Sequence, residues 1–277
     1  MPAIFKKYQI ILDGRKVSYW QKGENEEKTI VLLHGFPGSH RGLTDMAKGL
    51  SGYRIVIPDL PGCGKSEPLK NSYTLKHYAA WLYAFLENLS LKKVILVGHS
   101  FGSRIALVFA ETYPEKMETM ILITPVTAVE GLIARAASIQ YKIAELLPSN
   151  LKHAWLANGL YQKIEHMIIF KSVRGKRKAE LVKKDKTEYR LIDPETTIGV
   201  FEEFYRNNLL PKANIATIPT LIIASDKDEI APLTQVKELT IRLPHSKMII
   251  MKNSGHLVVL ERPLQTAKII REWLDTK

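Results

Sequence analysis

From residue 29 onward the chain alternates short, almost wholly apolar runs with longer stretches in which apolar residues recur at helical spacing. TIVLL (29–33), YRIVIP (53–58), KVILVG (93–98), TMILIT (119–124), PTLIIAS (219–225) and SKMIIM (246–251) are short and rich in β-branched residues, as expected of strands buried on both faces. Residues 72–90, 103–114, 232–243 and 263–274 carry the 3.6-residue repeat of amphipathic helices. Two earlier segments, YQIIL and KVSYWQK, flank Asp13-Gly14, a pair suited to a hairpin turn. This order predicts an α/β fold: a mostly parallel sheet flanked by helices, with an antiparallel hairpin before it.

The alternation stops between about 126 and 211, where helical patterns follow one another without a strand. The expected organisation is a core in two parts, residues 1–125 and 212–277, with 126–211 inserted as a helical cap over the carboxyl edge of the sheet. Open parallel sheets bind ligands at that edge.

Candidate chemistry begins with VILVGHSFG (94–102), in which a buried-type strand runs into Gly98-His99-Ser100-Phe101-Gly102 and then into a helical pattern. This is G-x-S-x-G in the context it requires. A sharp strand-to-helix turn strains the serine backbone, and only small neighbours pack around it without clashes. Ser100 then protrudes at a helix start, where free N–H groups favour developing negative charge. A serine hydroxyl needs a base, and the base an orienting carboxylate. His256 in NSGH follows the last apolar run, while Asp226 and Asp228 in ASDKDEIAP follow the one before it. His34, His77, His99, His153, His166 and His245 lack that placement; His34 is expected to brace its loop and His99 to turn its ring away from the active face.

A second glycine-rich stretch, PDLPGCGKSEP (58–68), ends like a phosphate-binding loop. A G-x-x-x-x-G-K-[ST] cradle, however, requires glycine at position 59, and Asp59 stands there, with a carboxylate that repels phosphate. Nucleotide binding is therefore not expected.

Taken together, the GHSFG turn, His34-Gly35-Phe36-Pro37-Gly38, the loop Asp59 to Ser66, DKDEIAP, and SGH followed by LERP make the chain resemble the α/β-hydrolase superfamily, in particular its capped, esterase/lipase-like serine members. The resemblance spans about residues 8–125 and 212–275. It implies a nucleophile Ser100, a base His256, and Asp228 as the acid in the D-x-I-x-P pattern. Asp226 is left as a surface or hinge residue. It further implies an oxyanion hole formed by the N–H groups of Phe36 and Phe101; Pro37 has no N–H. Ser103 stands where the family often has a second glycine. The expected reaction is hydrolysis of a small carboxylic ester through an acyl-enzyme, without cofactor or metal. The same triad also serves amidases, thioesterases, carbon–carbon bond hydrolases and perhydrolases, and the fold serves non-catalytic binding proteins. An aspartate at the elbow would have indicated haloalkane or epoxide hydrolysis. Selectivity is expected in the inserted helices, with Trp155, Tyr161, Met167, Phe170, Phe201, Phe204 and Tyr205 as candidate pocket residues. Arg104 is expected to be a buried structural cation, the alternative being contact with an acidic substrate.

Composition changes this picture little. The 277 residues are 45% hydrophobic and 25% charged, enough for a large core without staples. One cysteine, Cys63, makes no internal disulfide and has no cluster of metal-ligand partners, which suggests a reducing compartment, the cytoplasm. The amino terminus lacks an apolar stretch suited to a signal peptide and the apolar runs are strand-sized, so no stable membrane anchor is expected. Net charge is +12, and residues 171–190 supply half the excess, with nine Lys/Arg against three Asp/Glu. Without interleaved aromatic platforms this stretch reads as a solvated face, and no nucleic-acid partner is expected. The expected partner is a small-molecule acyl substrate. Oligomeric state is not legible.

Overall fold

Alternating side chains of the apolar strands divide between two cores, one on each face of a single sheet. Val31, Leu33, Leu96, Met120, Leu122 and Ile222 pack into one, and Ile30, Leu32, Ile95, Val97, Ile121 and Ile223 into the other. Strands with both faces covered have no polar face to present, which is why their sequences are nearly continuous in Val, Ile and Leu. The arrangement is seen in a computed structural model that describes residues 5–276 except 71, 129–130, 159, 171, 190, 207–208, 210–214 and 216. Side chains of 131–138, 149, 153, 157–158, 160–162, 164–165, 189 and 205–206 also lie outside the described part.

Among the described residues there are eight strands: β1 (Lys6–Leu12), β2 (Arg15–Lys22), β3 (Thr29–Leu33), β4 (Arg54–Pro58), β5 (Val94–His99), β6 (Met117–Ile123), β7 (Thr220–Ser225) and β8 (Ser246–Met251). They lie in the order β1-β2-β4-β3-β5-β6-β7-β8. The β1–β2 hairpin turns at Asp13-Gly14 and joins β4 antiparallel, while β4 to β8 are mutually parallel. The helices are α1 (Thr44–Lys48), α2 (Leu75–Asn88), α3 (Phe101–Thr112), α4 (Gly131–Leu146), α5 (Ser149–Asn158), α6 (Leu160–Ile169), α7 (Gly175–Tyr189), α8 (Pro194–Arg206), α9 (Leu233–Arg242), α10 (Val258–Glu261) and α11 (Pro263–Leu274). Helices α2, α3 and α9 cover the first core, and α1, α10 and α11 the second. Neither α1 nor α10 stands out in the sequence, because five and four residues are too few to display a helical repeat. Among the described residues five consecutive helices, α4 to α8, lie between β6 and β7, where the strand alternation ceases. Among the described residues no helix is long and apolar enough to cross a membrane.

Candidate active site

The turn from β5 into α3 places Ser100 at φ 51° and ψ −112°, a region that side chains seldom occupy. Close packing on either side holds it there. A Cβ on Gly98 would overlap the Gly102 backbone, and one on Gly102 would overlap that of Leu33. Ser103 reinforces the turn by donating its hydroxyl to the Gly98 carbonyl at 2.7 Å. A glycine there would lose that bond, so the serine is an exchange of closeness for a buried hydrogen bond.

His256 arrives from the loop after β8 and Asp228 from the loop after β7, and backbone bonds stitch the two loops together. Lys227 N–H donates to the Ser254 carbonyl at 3.0 Å, and Asp226 N–H to that of Met251 at 3.1 Å. The Asp226 carboxylate accepts from Ser254 N–H at 3.3 Å, so this residue braces the junction. Asp228 Oδ1 accepts from the N–H groups of Ile230 and Ala231, both at 2.9 Å, leaving Oδ2 aimed at His256 Nδ1, also at 2.9 Å. His256 Nε2 lies 2.8 Å from Ser100 Oγ. With a carboxylate accepting from Nδ1–H, Nε2 is left as the acceptor for the serine hydroxyl. The three side chains that are remote in the chain thus form one hydrogen-bonded line, and all three residues are buried.

The backbone of His256 is held as firmly as its ring. Its carbonyl accepts from Thr124 Oγ1 at 3.0 Å and from His99 Nε2 at 3.2 Å. The expectation that His99 turns away from the active face is corrected here. Its ring lies 5.6 Å from that of His256 and borders the same cavity, because the strained elbow swings it under the loop after β8. Burial, then the neighbouring His256, pushes the His99 pKa down to about 3, so it stays a neutral Nε2–H donor. Gly255 N–H, next to His256, donates to the Glu261 carboxylate, which also accepts from Ser172 at 2.7 Å.

The loop after β3 faces the elbow. His34 Nδ1–H donates to the Gly35 carbonyl at 2.8 Å and Nε2 accepts from Leu60 N–H at 3.0 Å, which fixes a neutral tautomer; burial lowers its pKa. Phe36-Pro37 is a cis peptide, and the Phe36 ring packs edge-on to Phe101 and Phe201. Phe36 N–H and Phe101 N–H have no protein acceptor among the described residues. The glycine-rich loop after β4 is knitted around a buried Asp59. Its carboxylate accepts from His40 N–H at 2.9 Å and from Lys65 N–H at 2.8 Å, and a Cβ on Gly64, at φ +58°, would overlap it. The interior of this loop is therefore filled by protein carboxylate. Cys63 is a buried free thiol whose pKa burial pushes well up, so it is not a thiolate. Among the described residues no cluster of His, Cys, Asp and Glu has the makings of a metal site.

Above Ser100 and His256 lies a cavity of about 120 Å³, bordered by Phe36, Val126, Ile169, Phe201, Phe204 and Leu257. An enclosed apolar cavity of roughly 150 Å³ holds one benzene, so the space here is on the scale of a small ring, with one side open. Of the aromatic residues named from the sequence, Phe201 and Phe204 border it. Trp155, 39% exposed, instead donates to the Gln140 carbonyl on α4, and Met167 is 69% exposed. Phe170 is fully buried in a separate cluster with Ile169 and Leu181. The side chains of Tyr161 and Tyr205 lie outside the described part. Helical periodicity shows that a residue belongs to an apolar face but not which neighbour that face meets. Arg104 is fully buried, donates to the carbonyls of Val126 and Thr127 at 3.1 and 2.9 Å, and lies 5.0 Å from the Phe204 ring. Burial pulls its pKa down to about 10.

One wall of the cavity was not anticipated. Lys184, Asp185 and Glu188, from the basic stretch read as a solvated face, border it. Lys176, Lys183 and Lys186 do face solvent, but positions 181, 184, 185 and 188 share one side of α7, which turns inward. The signal available in the sequence was Leu181 four residues before Asp185, with Glu188 one turn further.

Residues 28–263 match the profile of the family described as alpha/beta hydrolase fold. Lipase 1 of Psychrobacter immobilis is 26% identical over 96% of this chain and 84% of its own length. The proline iminopeptidase of Lactobacillus crispatus is 28% identical over 95% of each. Among solved structures, a thermophilic esterase from Thermogutta terrifontis superposes with a TM-score of 0.81 at 21% identity, covering 98% of both chains. The chain therefore belongs to the α/β-hydrolase fold family and is one of its hydrolytic enzymes.

Proposed function

We propose that the protein is a serine hydrolase that cleaves a small carboxylic ester through an acyl-enzyme. The observation that carries this reading is the line Ser100 Oγ, His256, Asp228, with separations of 2.8 and 2.9 Å. Ser100 attacks the ester carbonyl while His256 Nε2 takes its proton; Asp228 holds the Nδ1–H tautomer and stabilises the imidazolium. The oxyanion forms beside the N–H groups of Phe36 and Phe101, which have no protein acceptor to relinquish among the described residues. His256 then protonates the departing alkoxide, and a water activated by the same nitrogen cleaves the acyl-enzyme. Residues 126–211 act as a helical cap on a core made of 1–125 and 212–277. The apolar lining from Phe201 and Phe204 and the cavity of about 120 Å³ favour a short acyl portion. Of the two relatives named above, one is a lipase and the other a peptidase, and the ester is preferred because it requires nothing beyond the three groups and the two N–H donors.

A fluorophosphonate probe and p-nitrophenyl esters of increasing chain length test this. Labelling and turnover of short esters are expected, with kcat in Ser100→Ala lower by about 10⁴- to 10⁶-fold. A folded protein that is neither labelled nor active would rule the reading out.

A further inference from the structure

His256 stands in the loop between β8 and α10, outside any helix or strand. Among the described residues its backbone takes part in two hydrogen bonds, both accepted by its carbonyl from side chains: Thr124 Oγ1 at 3.0 Å and His99 Nε2 at 3.2 Å. Both donors are held against local preference. Thr124 is fully buried at φ +42°, a left-handed conformation that β-branched residues rarely adopt, and its hydroxyl makes no other hydrogen bond among the described residues. His99 is a buried imidazole whose ring likewise makes no other hydrogen bond among the described residues. An apolar side chain would fill either space without placing a polar group in the interior. The one polar contact of each side chain is the same carbonyl. The two residues also end adjacent parallel strands: His99 closes β5 opposite Ile123, and Thr124 follows Ile123 at the end of β6. Ser100 comes directly after His99, and its N–H donates to the Ile123 carbonyl at 3.0 Å. The candidate nucleophile and the tethers of its base therefore share one piece of backbone.

We propose that His99 and Thr124 are positioning residues that together clamp the carbonyl of His256 and so fix its imidazole at proton-transfer distance from Ser100. The inference rests on the ester-hydrolase reading above and adds two residues to it. Contacts with Asp228 and Ser100 align the ring, but a loop without regular structure can carry the whole residue toward or away from the elbow. A shift of about one ångström at such a contact costs on the order of a hundred-fold in rate. One remaining tether keeps the carbonyl in place; with neither, the loop is free to move. The clamp is therefore expected to act as a unit, with a double loss greater than the two single losses combined.

A double-mutant cycle with matched controls provides the test, read as kcat and KM on a short p-nitrophenyl ester and as the rate of fluorophosphonate labelling. His99→Asn, whose shorter amide falls short of the carbonyl, and Thr124→Val, which keeps the shape without the hydroxyl, are each expected to lower kcat by about five-fold. The double variant is expected to lose about a hundred-fold or more, beyond the product of the single losses, with KM within about two-fold of wild type and labelling slowed in step. His99→Gln, which carries a donor to the same place as Nε2, and Thr124→Ser, which keeps the hydroxyl, should retain kcat within about two-fold. A double loss no greater than that product, a loss confined to KM, or His99→Gln as impaired as His99→Asn would each overturn the proposal. Should the double variant fail to fold, the contrasts of Asn with Gln at 99 and of Val with Ser at 124 still decide. Wild-type protein that is labelled at Ser100 and active, with His99→Asn and Thr124→Val equally fast, defeats this inference alone, whereas unlabelled, inactive wild-type protein defeats the ester-hydrolase reading with it.

Discussion

Two walls of one cavity are built on opposite terms. On the wall made by the ends of β3, β5, β7 and β8, the side chains of Asp228, His34 and His256 are paired inside the protein through both carboxylate oxygens and all four ring nitrogens, and the His256 carbonyl accepts twice, while the N–H groups of Phe36 and Phe101 stay open among the described residues. On the wall made by α7, Glu188 accepts nothing among the described residues. Saturated hydrogen bonding leaves a group one orientation, which is what a proton relay requires, since misalignment of even an ångström weakens the chemistry severely. Glu188 is instead enclosed, with Arg41 3.6 Å away as its ion-pair partner. Under the proposed function, the fully paired side chains are those that carry the proton relay.

The comparison can be broken most forcefully at Asp228. Asp228→Asn keeps the shape but removes the tautomer control, and kcat is expected to fall by about 10³- to 10⁴-fold with a nearly unchanged melting temperature. A smaller loss, measured on a short p-nitrophenyl ester, would mean that this wall is less preorganised than its bonds imply.

Gly64→Ala tests the supporting loop. Its positive φ and the Asp59 carboxylate beside it leave no room for a methyl group, so unfolding by denaturant should show a loss of roughly 2–4 kcal/mol. Loss of activity without loss of stability would contradict a supporting role.

His99 sharpens the same wall through pH. In the folded protein it stays neutral down to about pH 3, whereas unfolded it takes a proton near the ordinary value of 6.5. Between those values the unfolded chain binds more protons, so stability declines as pH falls through that window. The contribution is at most about 1.4 kcal/mol per pH unit, and His99→Gln should flatten the decline in melting temperature between pH 6 and 4. His34, shifted in the same direction, sustains the remainder. An identical slope in wild type and variant would show that His99 titrates normally.

Among the helices between β6 and β7, the smallest effect is expected at Met167. Met167 is 69% exposed, so Met167→Ala should change stability by no more than about 0.5 kcal/mol and kcat/KM for short esters by less than about two-fold. A larger change would extend the cavity beyond the residues now bordering it.

Legibility in the sequence followed the range of the interactions. The parallel strands were evident because burial on both faces leaves a nearly continuous apolar composition, as in TIVLL and VILVG. The sharp turn at Ser100 was evident because steric relief must come from its immediate neighbours. The short helices α1 and α10 were not evident, since each holds about one turn. Pocket residues were the least legible: Trp155 and Met167 carry the same apolar signature as Phe201, and only packing assigns Phe201 to the cavity and the others to the outer surface.

What the sequence determined by itself was therefore the order of elements, the parallel sheet and the identity of the residues that strained turns and strand ends must carry, because these depend on neighbours within a few positions. Tertiary structure alone decided that the Ser100 and His256 side chains, 156 residues apart, lie within a hydrogen bond, that His99 turns beneath His256, and that one face of a basic helix brings Glu188 to the cavity. The physical reason is that a side chain's partner is set by how separate elements pack, and packing sums contacts from the whole chain that no local pattern contains.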